Sequence, residues 1–151
     1  MRETGRGRLT RTRFGPILAD AIDPTSMVSN QYDAGYLGYF ECFNAQRYFE
    51  AHDVLEALWL PQRQGANGLY YKGLIQLAGA FVHWQKQRRG PAMALFNLAR
   101  TNLQRYPSRH EGLDLSSVLA LVEGWLGELA AAAPEVCPPL PSQCPRLQLE
   151  E

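Results

Sequence analysis

Apolar positions recur at helical spacing between about residue 33 and residue 132, and they fall into five stretches separated by breakers. Tyr36, Leu37, Phe40 and Cys42 or Phe43 mark a first helix that starts at Asp33 and ends near Asn44. A second runs from about Arg47 to Leu60, where Pro61 stops it. At 100° per residue, Tyr48, Ala51, Val54, Leu55, Leu58 and Trp59 cover one broad arc of it, with Glu50, Asp53 and Ala57 opposite. The third, from about Asn67 to Arg89, is apolar round most of its circumference and should be central. Gly90 and Pro91 read as its stop and as the start of a fourth helix, which ends near Tyr106. Leu95, Phe96, Leu98, Ala99 and Leu103 are its expected inner face. A loop through Gly112 leads to a fifth helix, with Asp114 as N-cap and Leu115, Val118, Leu119, Val122, Trp125, Leu126 and Leu129 repeating to about Ala132.

The flanks differ. Residues 1–30 show no period and are punctuated by Gly5, Gly7, Gly15, Pro16 and Pro24, so a flexible basic arm is expected that adds nothing to the core. Residues 134–151 carry Pro134, Pro138, Pro139, Pro141 and Pro145, which no helix tolerates. No strand is expected. The predicted fold is all-α: a single-domain antiparallel bundle of about five helices over residues 31–133, between the arm and a Pro-rich tail.

Composition narrows the function classes. Hydrophobic residues make up 46% of 151, enough for a core, and 15 basic residues balance 15 acidic ones. No global field then favours nucleic acid or an anionic membrane. Arg2, Arg6, Arg8, Arg11 and Arg13 face only Glu3, yet the arm reads better as a solvated segment than as a nucleic-acid site. The longest apolar run, Gly73 to Val82, contains Gln76 and is far shorter than the ~20 residues of a membrane span. Cys42, Cys137 and Cys144 form neither a disulfide framework nor a metal pattern, so a reducing cytoplasm is the default.

One constellation could carry chemistry. His52 and Glu56 lie four apart at the edge of the second helix's apolar arc, so their side chains are neighbours. Lys72, Gln76 and His83 form the polar stripe of the third helix, with Gly79 between them. A short turn makes these helices neighbours, so His52, Glu56, Gln76 and His83 should converge, with a direct hydrogen bond between the helices. The cluster reads either as a ligand pocket or as a structural polar pair and a wet stripe. Histidine three residues after a carboxylate and His-Glu-x-x-His are both absent, so no known metal scheme is met and no metal is assigned. Trp59, Trp84 and Trp125 are expected core anchors, with Trp59 buried beside Tyr48 and Leu55. His110 has no evident partner.

Two motifs add a resemblance. Phe43-Asn44-Ala45-Gln46-Arg47-Tyr48-Phe49-Glu50-Ala51-His52-Asp53-Val54-Leu55-Glu56-Ala57-Leu58-Trp59, and then Tyr71-Lys72-Gly73-Leu74-Ile75-Gln76-Leu77-Ala78 with His83 five residues on, resemble the family called domain of unknown function 309. The resemblance covers roughly residues 35 to 130. It implies a compact all-helical fold, found in bacteria and plastid-bearing organisms, and no established activity, cofactor or partner. Such proteins often begin the fourth helix with Gly-Asn, where this chain has Gly90-Pro91. The leading expectation is a non-catalytic binding or interaction domain with a polar cluster between helices two and three. The alternatives are a hydrolase-type enzyme, with or without a metal, using His52, Glu56 and His83, and a nucleic-acid accessory protein using the arm. No cofactor or partner is specified. Neither membrane nor nucleic acid is expected as a partner, and a homo-oligomer is compatible with the sequence.

Overall fold

Two aspartates open the first and last helices. In the computed structural model, which describes residues 32–133, 135–141 and 146–150, the Asp33 carboxylate accepts from the Gly35 N–H at 2.7 Å and starts α1 (Ala34–Asn44). Asp114 likewise accepts from Ser117 N–H (3.2 Å) and Ser117 Oγ–H (2.9 Å) and starts α5 (Leu115–Ala131). Those bonds hold the Asp114 carboxyl below its ordinary pKa. Between them lie α2 (Tyr48–Trp59), a 3₁₀ turn (Leu60–Gln62), α3 (Gly68–Gln85) and α4 (Arg89–Leu103). Among the described residues the fold is an all-α bundle of five helices.

The ends of α1 and α3 share one device. Gln46 and Gln87 take left-handed conformations, with φ of 64° and 60°. Arg47 N–H then reaches Cys42 O (2.8 Å), and Arg88 N–H reaches His83 O (2.9 Å). This is the Schellman closure, normally made by glycine. The third helix therefore ends at Gln85 and not near Arg89, and Gly90 lies inside the first turn of α4 and is no stop. Glutamine carries no sequence signal for the left-handed region, so the spacing of apolar residues overran the true end.

α3 is the central helix: its residues are buried on nearly every side, and it packs on α2 and most extensively on α4. Gly73 makes that closeness tolerable, since a Cβ there would sit 2.9 Å from the Leu103 side chain. Phe81 is the hub. Its ring meets Phe43 of α1 (5.5 Å between centroids), Tyr48 of α2 (4.8 Å), Phe96 of α4 (5.3 Å) and Trp125 of α5 (4.8 Å), as well as Trp84 on its own helix (5.9 Å). All five helices thus meet at one aromatic cluster, an arrangement whose edge-to-face pairs add to simple burial. Trp84 and Trp125 are buried as expected. Trp59 is only partly buried, with Lys72 Nζ 5.8 Å above its ring, because it sits at the last turn of a peripheral helix. Leu98, expected inside, is exposed.

Residues 109–114 correct the expectation of no strand. Arg109–His110 and Leu113–Asp114 pair antiparallel as β1 and β2 around Glu111 and Gly112, whose φ values are 50° and 78°. Two positive φ values define the tight type I′ hairpin. His110 also has partners: its Nε2 lies 2.7 Å from Asn67 Oδ1, and its ring packs on Tyr70 and Tyr106.

The described part of the Pro-rich tail is non-helical and packs on the bundle. Trp84 Nε1–H donates to Pro138 O (2.8 Å). Asn44 holds both backbone polar groups of Leu147, which is buried. Leu149 bridges to Leu113, Glu150 N–H donates to Gly112 O, and Arg109 pairs with Glu150. The expected arm over residues 1–30 lies outside the described residues, as does Cys144; Cys42 and Cys137 are free thiols. Among the described residues no helix is long and apolar enough to cross a membrane.

Candidate functional site

A cavity of about 300 Å³ opens where α2, α3 and α4 meet. α2 contributes Phe49 and His52. α3 contributes Ile75, Gln76, Gly79 and Val82 along one face, then His83, with Lys86 just past its end. α4 contributes Leu95. Positions 75, 79, 82, 83 and 86 follow helical spacing, which is why one face of α3 can line it. Gly79 sets its depth: an added Cβ would lie 3.1 Å from Leu95 Cδ1 and 3.9 Å from His52 Cδ2.

His52 is held in place. Its Nδ1 lies 3.2 Å from Asp53 Oδ1, and its ring runs parallel to that of Phe49 (centroids 6.4 Å apart). With Nδ1–H donated to the carboxylate, the lone pair of a neutral ring rests on Nε2. Cδ2, bonded to that nitrogen, lies 3.9 Å from where a Cβ on Gly79 would sit, so this edge of the ring borders α3. Gln76 is oriented from the other side, its Oε1 accepting from Asn102 Nδ2 of α4 at 2.8 Å. His83 has its pKa pushed down, first by burial and then by Arg88 and Lys86, and its Nδ1 is buried without a hydrogen-bond partner. Neutral imidazole is the form this environment favours.

Of the five residues singled out from the sequence, His52, Gln76 and His83 line one cavity. Glu56 does not line it. Its carboxylate instead groups with His52 and Asp53, one potential ligand atom of each lying within 4.8 Å of the others. These are the residues that could hold a metal ion. Lys72 is elsewhere, exposed over Trp59. The hydrogen bond expected between α2 and α3 is replaced by the one from Asn102 to Gln76, between α3 and α4. Asp53 and Asn102 are the residues that sequence reasoning missed. Neighbours at i and i+1 do not share a helix face, so spacing hid the pairing of His52 with Asp53. Asn102 was overlooked because its partner lies on another helix.

The sequence of residues 36–95 matches the family described as "Domain of unknown function (DUF309)". That segment contains every residue lining the cavity. The chain is also similar to the "Uncharacterized protein YpuF" of Bacillus subtilis (strain 168), with 34% identity over 95 residues, 61% of this chain. The chain spans 55% of that relative's length.

Proposed function

We propose, for a chain whose residues 36–95 carry the DUF309 match, a non-catalytic helical binding domain that takes a small molecule between α2, α3 and α4. One observation carries this reading: oriented polar groups and apolar side chains converge on one cavity. His52 is fixed by Asp53 and Gln76 by Asn102, while Ile75, Val82 and Leu95 supply apolar wall. Few placed polar groups in a mostly apolar cleft is the usual make-up of a ligand site, and the volume is at the small end of the range of about 300–1,000 Å³. The number and spacing of the cysteines fit a reducing compartment, the cytoplasm. The balanced charge argues against nucleic acid as the partner.

The test is a fragment screen by ligand-observed NMR on the full chain, repeated on Gly79→Ala and Gly79→Leu. Alanine gains about 1 kcal/mol of helix propensity over glycine, and the partly buried Leu95 can shift by the few tenths of an ångström required, so Gly79→Ala should be at least as stable as the parent. Fragments that bind the parent should bind Gly79→Ala more weakly and Gly79→Leu not at all. A screen without hits, or hits indifferent to residue 79, would sink the proposal.

A second reading, metal-dependent hydrolysis with His52, Glu56 and His83, is favoured by the grouping of His52, Asp53 and Glu56. Zinc titration of the purified protein separates the two. Stoichiometric uptake that is lost in Glu56→Gln supports the enzyme; uptake no greater than in that variant removes it.

A further inference from the structure

The cavity has a polarity of its own. Lys86 is the charged residue among its lining side chains, and none of them is a carboxylate. Gln76 has already committed its carbonyl oxygen to Asn102, which leaves its NH₂ as two donors. Lys86 stands one turn from His83, and Arg88 closes the end of α3 through its N–H to His83 O. Lys86 therefore sets a positive charge at the C-terminal end of the cavity's α3 wall. Asp53 and Glu56 of α2 group with His52 without lining the cavity, and Asp53 is engaged by His52. Against this stand the apolar walls of Ile75, Val82 and Leu95, with Phe49 at the rim, 61% exposed.

Size sets a second limit. A cavity of about 150 Å³ suffices for benzene. One of about 300 Å³ takes a single ring, or a branched chain of that bulk, with a short polar arm.

We propose that the cavity binds amphipathic monocarboxylates with one small aromatic or branched apolar body, the carboxylate toward Lys86 and the body between Val82, Ile75 and Leu95. This rests on the ligand-binding reading of the same cavity. A cationic ligand of that shape would meet Lys86 with no lining carboxylate to pair it, and unpaired charge at a partly desolvated site is unfavourable. A neutral amide would keep the apolar contacts but lose the charge-assisted bond to Lys86, roughly twice as strong as a neutral one.

Three probes with one body test this: 3-phenylpropionate, 3-phenylpropionamide and 3-phenylpropylamine, each titrated into the ¹⁵N-labelled full chain. The acid is expected to shift the amide signals of Gly79 and His83 and to bind at least about tenfold more tightly than the amide, with the amine weaker still. Lys86→Met should weaken the acid about tenfold and leave the amide unchanged, while Lys86→Arg restores acid binding. Lys86 is exposed, so these variants fold as the parent does. An amide or amine that binds as tightly as the acid, or acid binding indifferent to Lys86→Met, overturns the anionic class. If that amide or amine binding is abolished by Gly79→Leu, the cavity reading survives alone. Binding of none of the three removes this ligand class, and the cavity reading is then decided by the fragment screen.

Discussion

Replacing Trp84 by alanine should lower the melting temperature by about 6–20 °C. Trp84 is fully buried, stacks on Phe81 (interplanar angle 16°) and meets Phe96 edge-on (90°). Truncating such a ring costs about 3–5 kcal/mol, and a chain of this size loses about 2–4 °C per kcal/mol. The neighbours cannot collapse into the gap, because Phe81 is itself held by rings from α1, α2, α4 and α5. A second effect should accompany the first. The Trp84 Nε1–H to Pro138 O bond fastens the tail to the bundle, so Trp84→Ala should speed proteolysis near Cys137. Trp84→Phe separates the two, retaining most of the packing but not the bond. It should cost less in thermal melts followed by circular dichroism, yet speed cleavage of the tail as much. A Trp84→Ala protein melting within 2–3 °C of the parent would mean that the aromatic hub does not carry the fold. Trp59, only partly buried, should lose less on the same truncation than the full-burial figure expected from its place in the sequence.

The contrast between those two tryptophans shows what the sequence could and could not convey. Helical period places both on apolar arcs, and it gives an angle about an axis without saying how far the facing helix extends. Trp59 lies at the last turn of α2, where the bundle runs out. Lys72 fails for a related reason. It shares a stripe with Gln76 and His83, but eleven residues at about 1.5 Å each put it about 16 Å along the axis from His83. The cavity runs along α3 from Ile75 to Lys86, and Lys72 lies about one turn short of it. His52, Gln76 and His83 were legible because they fall on the facing sides of α2 and α3, with glycine at position 79 between Gln76 and His83. The caps Asp33 and Asp114 were legible in chemistry, and Asp114 was named from it. The left-handed glutamines were not, since their conformation is imposed by the turn they close rather than by any preference of the residue. Nor was the packing of the tail: proline content excludes a helix but is silent on whether an extended segment finds partners, and here Asn44 and Trp84 supply them.

Raising the pH above 10 should unfold the protein cooperatively, with helix loss and tyrosine ionisation coinciding. Three phenols lie in the core between α1 and α3. Tyr39 donates to Leu74 O (2.7 Å), Tyr36 donates to Glu111 O (2.8 Å), and the Tyr36 and Tyr70 hydroxyls are 2.6 Å apart. Burial, the largest cause, pushes all three above the ordinary value of 10.0; repulsion among neighbouring phenolates adds to it, while at Tyr70 the hydrogen bond with Tyr36 acts the other way. The folded state therefore holds protons that the unfolded chain releases. Stability is complete below pH 10 and falls as pH rises beyond it, by about 1.4 kcal/mol per pH unit for each phenol. Three phenols together remove about 4 kcal/mol per unit. Against a typical stability of about 5–15 kcal/mol, that unfolds the chain between about pH 11 and 14. Absorbance at 295 nm should show these tyrosines titrating in step with the loss of far-ultraviolet ellipticity, not as independent groups near pH 10. Tyr39→Phe removes one of the three and should reduce the slope of stability against pH by about a third, even though Leu74 O loses its side-chain partner and the starting stability is lower. Full tyrosine ionisation with helicity intact would mean that Tyr36, Tyr39 and Tyr70 reach solvent, and that α1 is not packed on α3 through their hydroxyls.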